Sequence, residues 1–361
     1  MRRVATLSDV MACGSMVVVE GCIIGLTIMA STAMAKGMSP FVFVVYTNAL
    51  SSLILLPYSF FFDTNRSEGT WLTLPFLVQV FVLGLIGVTI AQNLAFVGLS
   101  YSSPIVACGF ANQMPALSFI LAILLRSTKF DWKRSGSLAR LIGTLISFGG
   151  AISLTLYKGP TIKAPSLTFP SRPPLLVFTS THENWVLGCK LFAASSFALA
   201  IWNFLQAKTL KICKQVMKII SFYTLFGTIQ TTGVALYFER DPEAWKLGLN
   251  FELLIIVLTG IFSSLIRTKV QMWCTRLKGP FFVPLFKPCG IAYATTFGCL
   301  LFSDTFHYGS IMGAFICGVG YNTVLWGQMK DEEASKLDGR NKIVSPSRDE
   351  KVPLLQQDSQ V

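Results

Sequence analysis

The chain has 361 residues, 52% of them hydrophobic and 13% charged, with a formal net charge of +12. A soluble domain carries about 25% charged residues, and here the apolar residues come in long blocks, so the composition argues against a soluble enzyme and against a soluble basic nucleic-acid-binding domain. Nine cysteines without a C-x-x-C, and two histidines (His182 and His307), offer no ligand set for zinc.

A membrane-spanning helix takes about 20 mostly apolar residues. Ten such runs follow in chain order: 14–35, 41–61, 74–94, 104–125, 138–157, 186–206, 219–238, 252–272, 281–302 and 309–327. The predicted fold class is therefore all-α and polytopic. Met1-Arg2-Arg3, an apolar run and Ala33-Met34-Ala35 have the outline of a secretory signal, but the run is too long for one, and cleavage would leave nine spans. Between the fifth and sixth runs, residues 158–185 hold Gly159, Pro160, Pro165, Pro170, Pro173 and Pro174, the composition of an irregular linker. Residues 329–361 form a polar tail with the composition of disorder.

With the N-terminus cytoplasmic, the inside segments carry 19 Lys and Arg against 6 outside, so both ends are expected in the cytosol. The single N-x-S/T sequon, Asn65-Arg66-Ser67, then faces the cytosol.

An internal repeat divides the chain. An offset of 176 aligns Pro104 with Pro280 and Phe110 with Phe286 at the fourth and ninth runs. An offset of 170 aligns Leu141-Ile142-Gly143 and Gly150 with Ile311-Met312-Gly313 and Gly320 in the fifth and tenth. Residues 14–157 and 186–328 are thus two five-helix units. Five is odd, so the second unit enters the membrane inverted, a recurring plan in secondary transporters.

The stretches KGMSPFVFVVY (36–46), AQNLAFVGLSYSSP (91–104), FANQMPALSFILA (110–122), LYKGP (156–160), FLQAKTLK (204–211), RDPEAWKLG (240–248), LKGPFFVPLFKP (277–288) and YGSIMGAFICGVGYNTVLWG (308–327) follow in order across nearly the whole apolar region. On these the chain resembles the plant nodulin-like EamA transporters, the walls-are-thin-related or UMAMIT proteins of the drug/metabolite transporter superfamily. The resemblance implies ten helices in two EamA units, and facilitated movement of amino acids or related small metabolites, auxin among them. Two places depart from the family pattern. It usually has a neutral polar residue where this chain has Glu20, and its eighth helix is usually uncharged where this one carries Arg267 and Lys269.

An ionisable side chain within a span normally faces the bundle interior. Glu20, Arg267, Lys269 and Lys287 all fall in the cytoplasmic half by the topology above. Three positives against one negative favour an anionic or zwitterionic solute. Snorkelling to the surface, or a structural salt bridge of Glu20, accounts for the same residues. A second set is polar and neutral: Gln92-Asn93 ends the third run, and Asn112-Gln113 sits in the middle of the fourth, before Pro115. Proline frees a backbone carbonyl, which at membrane depth must be buried in protein or line a cavity. Asn112 aligns with Pro288 at the 176 offset, so Pro115 in one half and Pro284 and Pro288 in the other weaken corresponding helices. Interhelical hydrogen bonding is the alternative role for these amides. Trp202 and Gln206 lie on the sixth run, as wall of a cavity or as core. Gly21-x-x-x-Gly25 and Gly309-x-x-x-Gly313 read as packing contacts.

No nucleophile elbow, paired carboxylates or phosphate-cradling loop appears in a suitable context, so no catalysis, cofactor or ATP-driven cycle is expected. The expected partners are a small-molecule solute and the bilayer, with no nucleic acid. Glu350, Leu354 and Leu355 match an acidic dileucine sorting signal for an adaptor, so the plasma membrane and the vacuolar membrane both remain open. The function expected is a secondary transporter. A non-transporting scaffold, a receptor or an inactive paralogue is the alternative.

Overall fold

The computed structural model describes residues 2–61, 74–126, 134–157, 161–162, 184–212, 216–248, 250–301 and 306–344. The helices are α1 (Arg2–Ala35), α2 (Pro40–Phe61), α3 (Leu74–Tyr101), α4 (Pro104–Leu124), α5 (Ser135–Leu156), α6 (Trp185–Ile212), α7 (Val216–Phe238), α8 (Phe251–Lys278), α9 (Cys289–Leu301) and α10 (Tyr308–Val344). Among the described residues, α1 to α8 are long and apolar enough to cross a membrane. Their helical form follows from the solvent. In lipid each backbone N–H and C=O must be satisfied within the segment, and a helix does so. Among the described residues the fold is all-helical apart from one short antiparallel pair, β1 (Thr161–Ile162) with β2 (Phe306–His307). That pair ties the linker to the connection between α9 and α10.

Helix ends carry the expected chemistry. Gly37 and Gly279 sit at positive φ after α1 and α8, where a side chain would be strained, and Pro40 and Pro280 follow them closely. The ninth helix starts later than the apolar run at 281 suggests. Pro284 and Pro288 supply no N–H, so residues 284–286 form a single 3-10 turn and α9 begins at Cys289. The tenth continues to Val344, well into the stretch whose composition reads as a tail, because Glu332, Glu333 and Lys336 are good helix formers with charges one turn apart. Residues 345–361, with Glu350, Leu354 and Leu355, lie outside the described residues, as do most of the linker and the Asn65 sequon.

Glycine sets the closest helix contacts. Gly136, Gly143 and Gly150 on α5 face Gly327, Gly320 and Gly313 on α10, in opposite directions. A Cβ on Gly143 would meet the Gly320 carbonyl at 2.9 Å, and one on Gly320 would meet the Gly143 carbonyl at 2.8 Å. Such backbone-to-backbone approach is available to glycine alone. A second contact repeats across the halves. Gly84 of α3 packs on Gly227 of α7, while Gly260 of α8 packs on Leu50 of α2. Of the two small-residue motifs, Gly313 belongs to the α5–α10 contact, whereas Gly25 faces open space.

Candidate functional site

α3 and α8 each contain a π-helical stretch, Leu85–Gln92 and Phe262–Arg267. A π turn inserts a residue into the α-helical repeat and so re-aims the side chains beyond it, which is why such turns recur at functional sites. These two stretches end on Gln92 and Arg267, and both residues line one cavity of about 260 Å³. It is enclosed by α1 (Ile23, Leu26, Thr27, Ala30), α2 (Phe43, Thr47, Asn48, Ser51), α3 (Gln92, Phe96) and α8 (Thr259, Phe262, Ser263, Arg267). The cavity spans mid-depth to near the end of the bundle that carries Ala35, Pro40, Tyr101 and Phe251. Arg267 is its deepest residue on α8, ~24 Å along the helix from Phe251 at 1.5 Å per residue.

Most of the polar lining is already committed. Thr27 and Thr47 donate to the Ile23 and Phe43 carbonyls on their own helices, at 2.8 Å each. Ser51 donates across to the Gly260 carbonyl at 3.3 Å. Asn48 Nδ2 donates to Gln92 Oε1 at 2.6 Å and to the Val44 carbonyl at 2.8 Å, which fixes the Gln92 amide and leaves its Nε2 unused. The buried Thr259 hydroxyl has no hydrogen-bond partner. Arg267 makes no ion pair or side-chain hydrogen bond among the described residues, and no Asp or Glu lines the cavity.

Beyond Arg267 the bundle is shut. Ala12, Met16 and Cys274 are fully buried, with Val270, Phe282, Val283 and Phe286 packed against them. Lys278 pairs with Asp9 across α8 and α1, and Lys269 contacts the Tyr58 hydroxyl and stands 4.1 Å over its ring. At the opposite end, the Tyr46 hydroxyl donates to the Trp245 carbonyl at 2.9 Å, which holds the 3-10 turn Pro242–Trp245 against α2.

The cavity thus brings together two of the residues singled out in the sequence, Gln92 and Arg267, and the others lie elsewhere. Glu20 is 2% exposed, and Lys287 Nζ stands 3.0 Å from its Oε1, an ion pair linking α1 to the start of α9. Asn93 Nδ2 donates to Thr231 Oγ1 and to the Thr89 carbonyl, both at 2.7 Å, joining α3 to α7. Asn112 and Gln113 are buried where α4 breaks, just ahead of Pro115 in the first turn after the break. Gln113 Nε2 donates to the Ser147 carbonyl at 2.6 Å and meets Cys317 Sγ at 3.3 Å; Asn112 Nδ2 has no partner. Trp202 packs on Gly87 and edge-on to Tyr223, with ring centroids 5.6 Å apart. Gln206 is half-buried on the same helix, off this cavity. Lys269 is exposed. Pro284 accepts a hydrogen bond from the Tyr321 hydroxyl at 2.9 Å, and Pro288 immediately precedes α9. Sequence reasoning passed over Asn48, Ser51, Thr259 and Ser263, neutral polar residues inside apolar runs with nothing to separate them from ordinary helix–helix contacts.

Apolar helices of membrane-crossing length around a half-polar cavity at mid-depth define a multi-pass membrane protein. The EamA-like transporter family model matches residues 12–156. WAT1-related protein At1g70260 of Arabidopsis thaliana is 49% identical over 353 residues, 94% of each chain. WAT1-related protein At1g60050 of the same plant is 45% identical over 349 residues, 94% of this chain and 93% of the relative. Protein WALLS ARE THIN 1 is 33% identical over 321 residues, 87% and 82% of the two chains. The chain belongs to the WAT1-related proteins of the EamA-like transporter family, and is accordingly a membrane transporter. A solved crystal structure aligns at a TM-score of 0.51 with 16% identity, over 86% of this chain and 97% of the other, a likeness of fold alone.

Proposed function

We propose that the protein is a secondary transporter, a facilitator or exporter, of amino acids or related small organic metabolites, auxin among them. It works by alternating access between two inverted five-helix repeats, residues 14–157 and 186–328, with the 158–185 linker outside and both termini in the cytosol. The observation that carries this reading is the cavity at the paired π stretches. Gln92 and Arg267 sit 175 residues apart in sequence, one short of the 176 offset that aligns the halves, and face the same space.

The helix contacts support the inversion. Under the 170 offset, the pair Gly143–Gly320 becomes Gly313–Gly150, which is also a contact. A contact that maps onto itself is what a two-fold axis requires. Under the 176 offset, Gly84 becomes Gly260, and each packs on the neighbouring half. In the form described here, the cavity leads toward the Ala35 end and the Lys278 end is closed. With the N-terminus cytoplasmic, this is the conformer closed to the cytosol. Small-residue and side-chain contacts at the closed end suit an opening and closing step, since little main-chain bonding crosses it. The plasma membrane and the vacuolar membrane are both compatible destinations, the latter if Glu350, Leu354 and Leu355 bind a sorting adaptor.

Uptake and efflux of labelled amino acids and auxin, measured in oocytes or in liposomes containing the purified chain, test the proposal. Flux in excess of empty membranes, without ATP, is the expected result. A folded, correctly inserted protein that moves no solute in either direction would overturn it in favour of a scaffold or receptor.

A further inference from the structure

Resting on the transporter reading, the cavity's charge bears on what it carries. Sequence alone places three cations and one carboxylate in the same part of the membrane, and the structure separates them. Lys287 is paired with Glu20, 3.0 Å away. Lys269 points to Tyr58 at the outside of the bundle. Arg267 alone lines the cavity, with no carboxylate near enough to pair. A guanidinium removed from bulk water without a counter-charge is costly, and it gives a standing preference for an anion. One further donor belongs to a lining residue: Gln92 Nε2, left over once Oε1 accepts from Asn48. Phe43 and Phe96 form the walls toward the Ala35 end.

We propose that Arg267 is the charge-selecting residue of this site, and that the solute is a small organic acid of net negative charge. Its carboxylate meets Arg267 at mid-depth and its apolar body lies toward Phe43 and Phe96. A zwitterion brings an ammonium group for which the cavity holds no anionic partner, and an organic cation meets repulsion. A planar guanidinium offers a carboxylate two parallel hydrogen bonds, and Arg267 spends neither on a side chain among the described residues.

Three solutes that share one aromatic body and differ in charge test this: 3-phenylpropionate, phenylalanine and phenethylamine. Binding to the detergent-solubilised full chain and uptake into liposomes are measured side by side. The expected result is that 3-phenylpropionate binds and moves at least about tenfold better than the other two, the scale of a charge-assisted hydrogen bond. Arg267→Gln and Arg267→Met each remove that preference, and Arg267→Lys restores most of it. Thermal unfolding of each variant identifies any that fails to fold, and the other neutral variant then stands in for it. Charge-dependent binding without uptake supports the site and overturns the transporter reading. Binding or uptake that ignores charge, or that falls equally for all three solutes in Arg267→Gln, overturns this proposal and leaves transport standing. No binding of 3-phenylpropionate overturns it as well.

Discussion

At the scale of single residues, the buried pair Glu20–Lys287 separates structure from substrate. A carboxylate 2% exposed in an apolar bundle is tolerable because Lys287 stands beside it. Removing Lys287 leaves the Glu20 carboxylate buried and alone, a loss of about 3–5 kcal/mol in fully buried pairs; removing Glu20 costs less, because the Lys287 side chain is 32% exposed, and replacing both with apolar residues is nearer neutral. Lys287→Met should therefore lower the melting temperature of the detergent-purified protein sharply and Glu20→Leu less, and the double variant should recover most of the loss. Full additivity of the two single effects would show that the pair is not coupled. The pair's place in the repeat is informative too. At an offset of 176, Glu20 corresponds to Ser196, whose hydroxyl donates to the Phe110 carbonyl at 3.0 Å. One half thus holds an ion pair where the other holds a neutral hydrogen bond.

At the scale of elements, the π stretches matter most. Deleting one residue from Leu85–Gln92 converts the stretch to regular α-helix and turns the following residues by about 100°. A deletion at Ile90, an exposed position in the stretch, should swing Gln92 out of the cavity and Asn93 off Thr231, so that solute binding is abolished and the melting temperature falls. Retained binding in that variant would place the site elsewhere. These stretches also show where sequence reasoning reaches and where it stops. The first eight of the ten expected spans were legible because twenty apolar residues have one cheap arrangement in lipid, and the break in α4 because Pro115 follows two amides. The π stretches carry no such mark. LIGVTIAQ and FSSLIR read as plain apolar helix, and their geometry comes from packing against neighbours, Gly84 and Gly227 in one half and Gly260 and Leu50 in the other. Arg267 and Gln92 stood out by chemistry. Asn48 and Thr259 did not, because a lone amide or hydroxyl in a span is ordinarily spent between helices. The partner of Glu20 was open in sequence for a similar reason. Three cations shared its depth, and only the fold brings Lys287 to it.

At the scale of the whole molecule, the closed end predicts how the protein responds to solute. Cys274 is fully buried beside Ala12 and Met16. If solute movement opens this end, a membrane-impermeant thiol reagent applied from the side that carries Asp9 and Lys278 should label Cys274 faster when solute is present. The measurement is made in a variant whose exposed Cys13 and Cys22 are replaced. Labelling indifferent to a transported solute would mean that the path does not pass between α1 and α8. Met16→Asp, which puts an uncompensated charge in the plug, should raise labelling without any solute. Among the described residues, Asp9–Lys278 at this end is partly exposed, and such pairs contribute about 0–1 kcal/mol, so the apolar plug between α1 and α8 owes little to it; Arg140–Asp331, with side chains 12% and 20% exposed, ties α5 to α10 instead.

The glycine contact between α5 and α10 has a mechanical meaning. Its three pairs are spaced seven residues apart, and between them bulkier residues such as Leu154, Cys317 and Val324 press on the opposite main chain. Sliding one rod along the other would reach its next fit only after a full seven residues, ~10.5 Å, with backbones colliding on the way. The two rods are therefore expected to travel as one spine, and a solute path that opens and closes would have to do so by the remaining helices tilting about it.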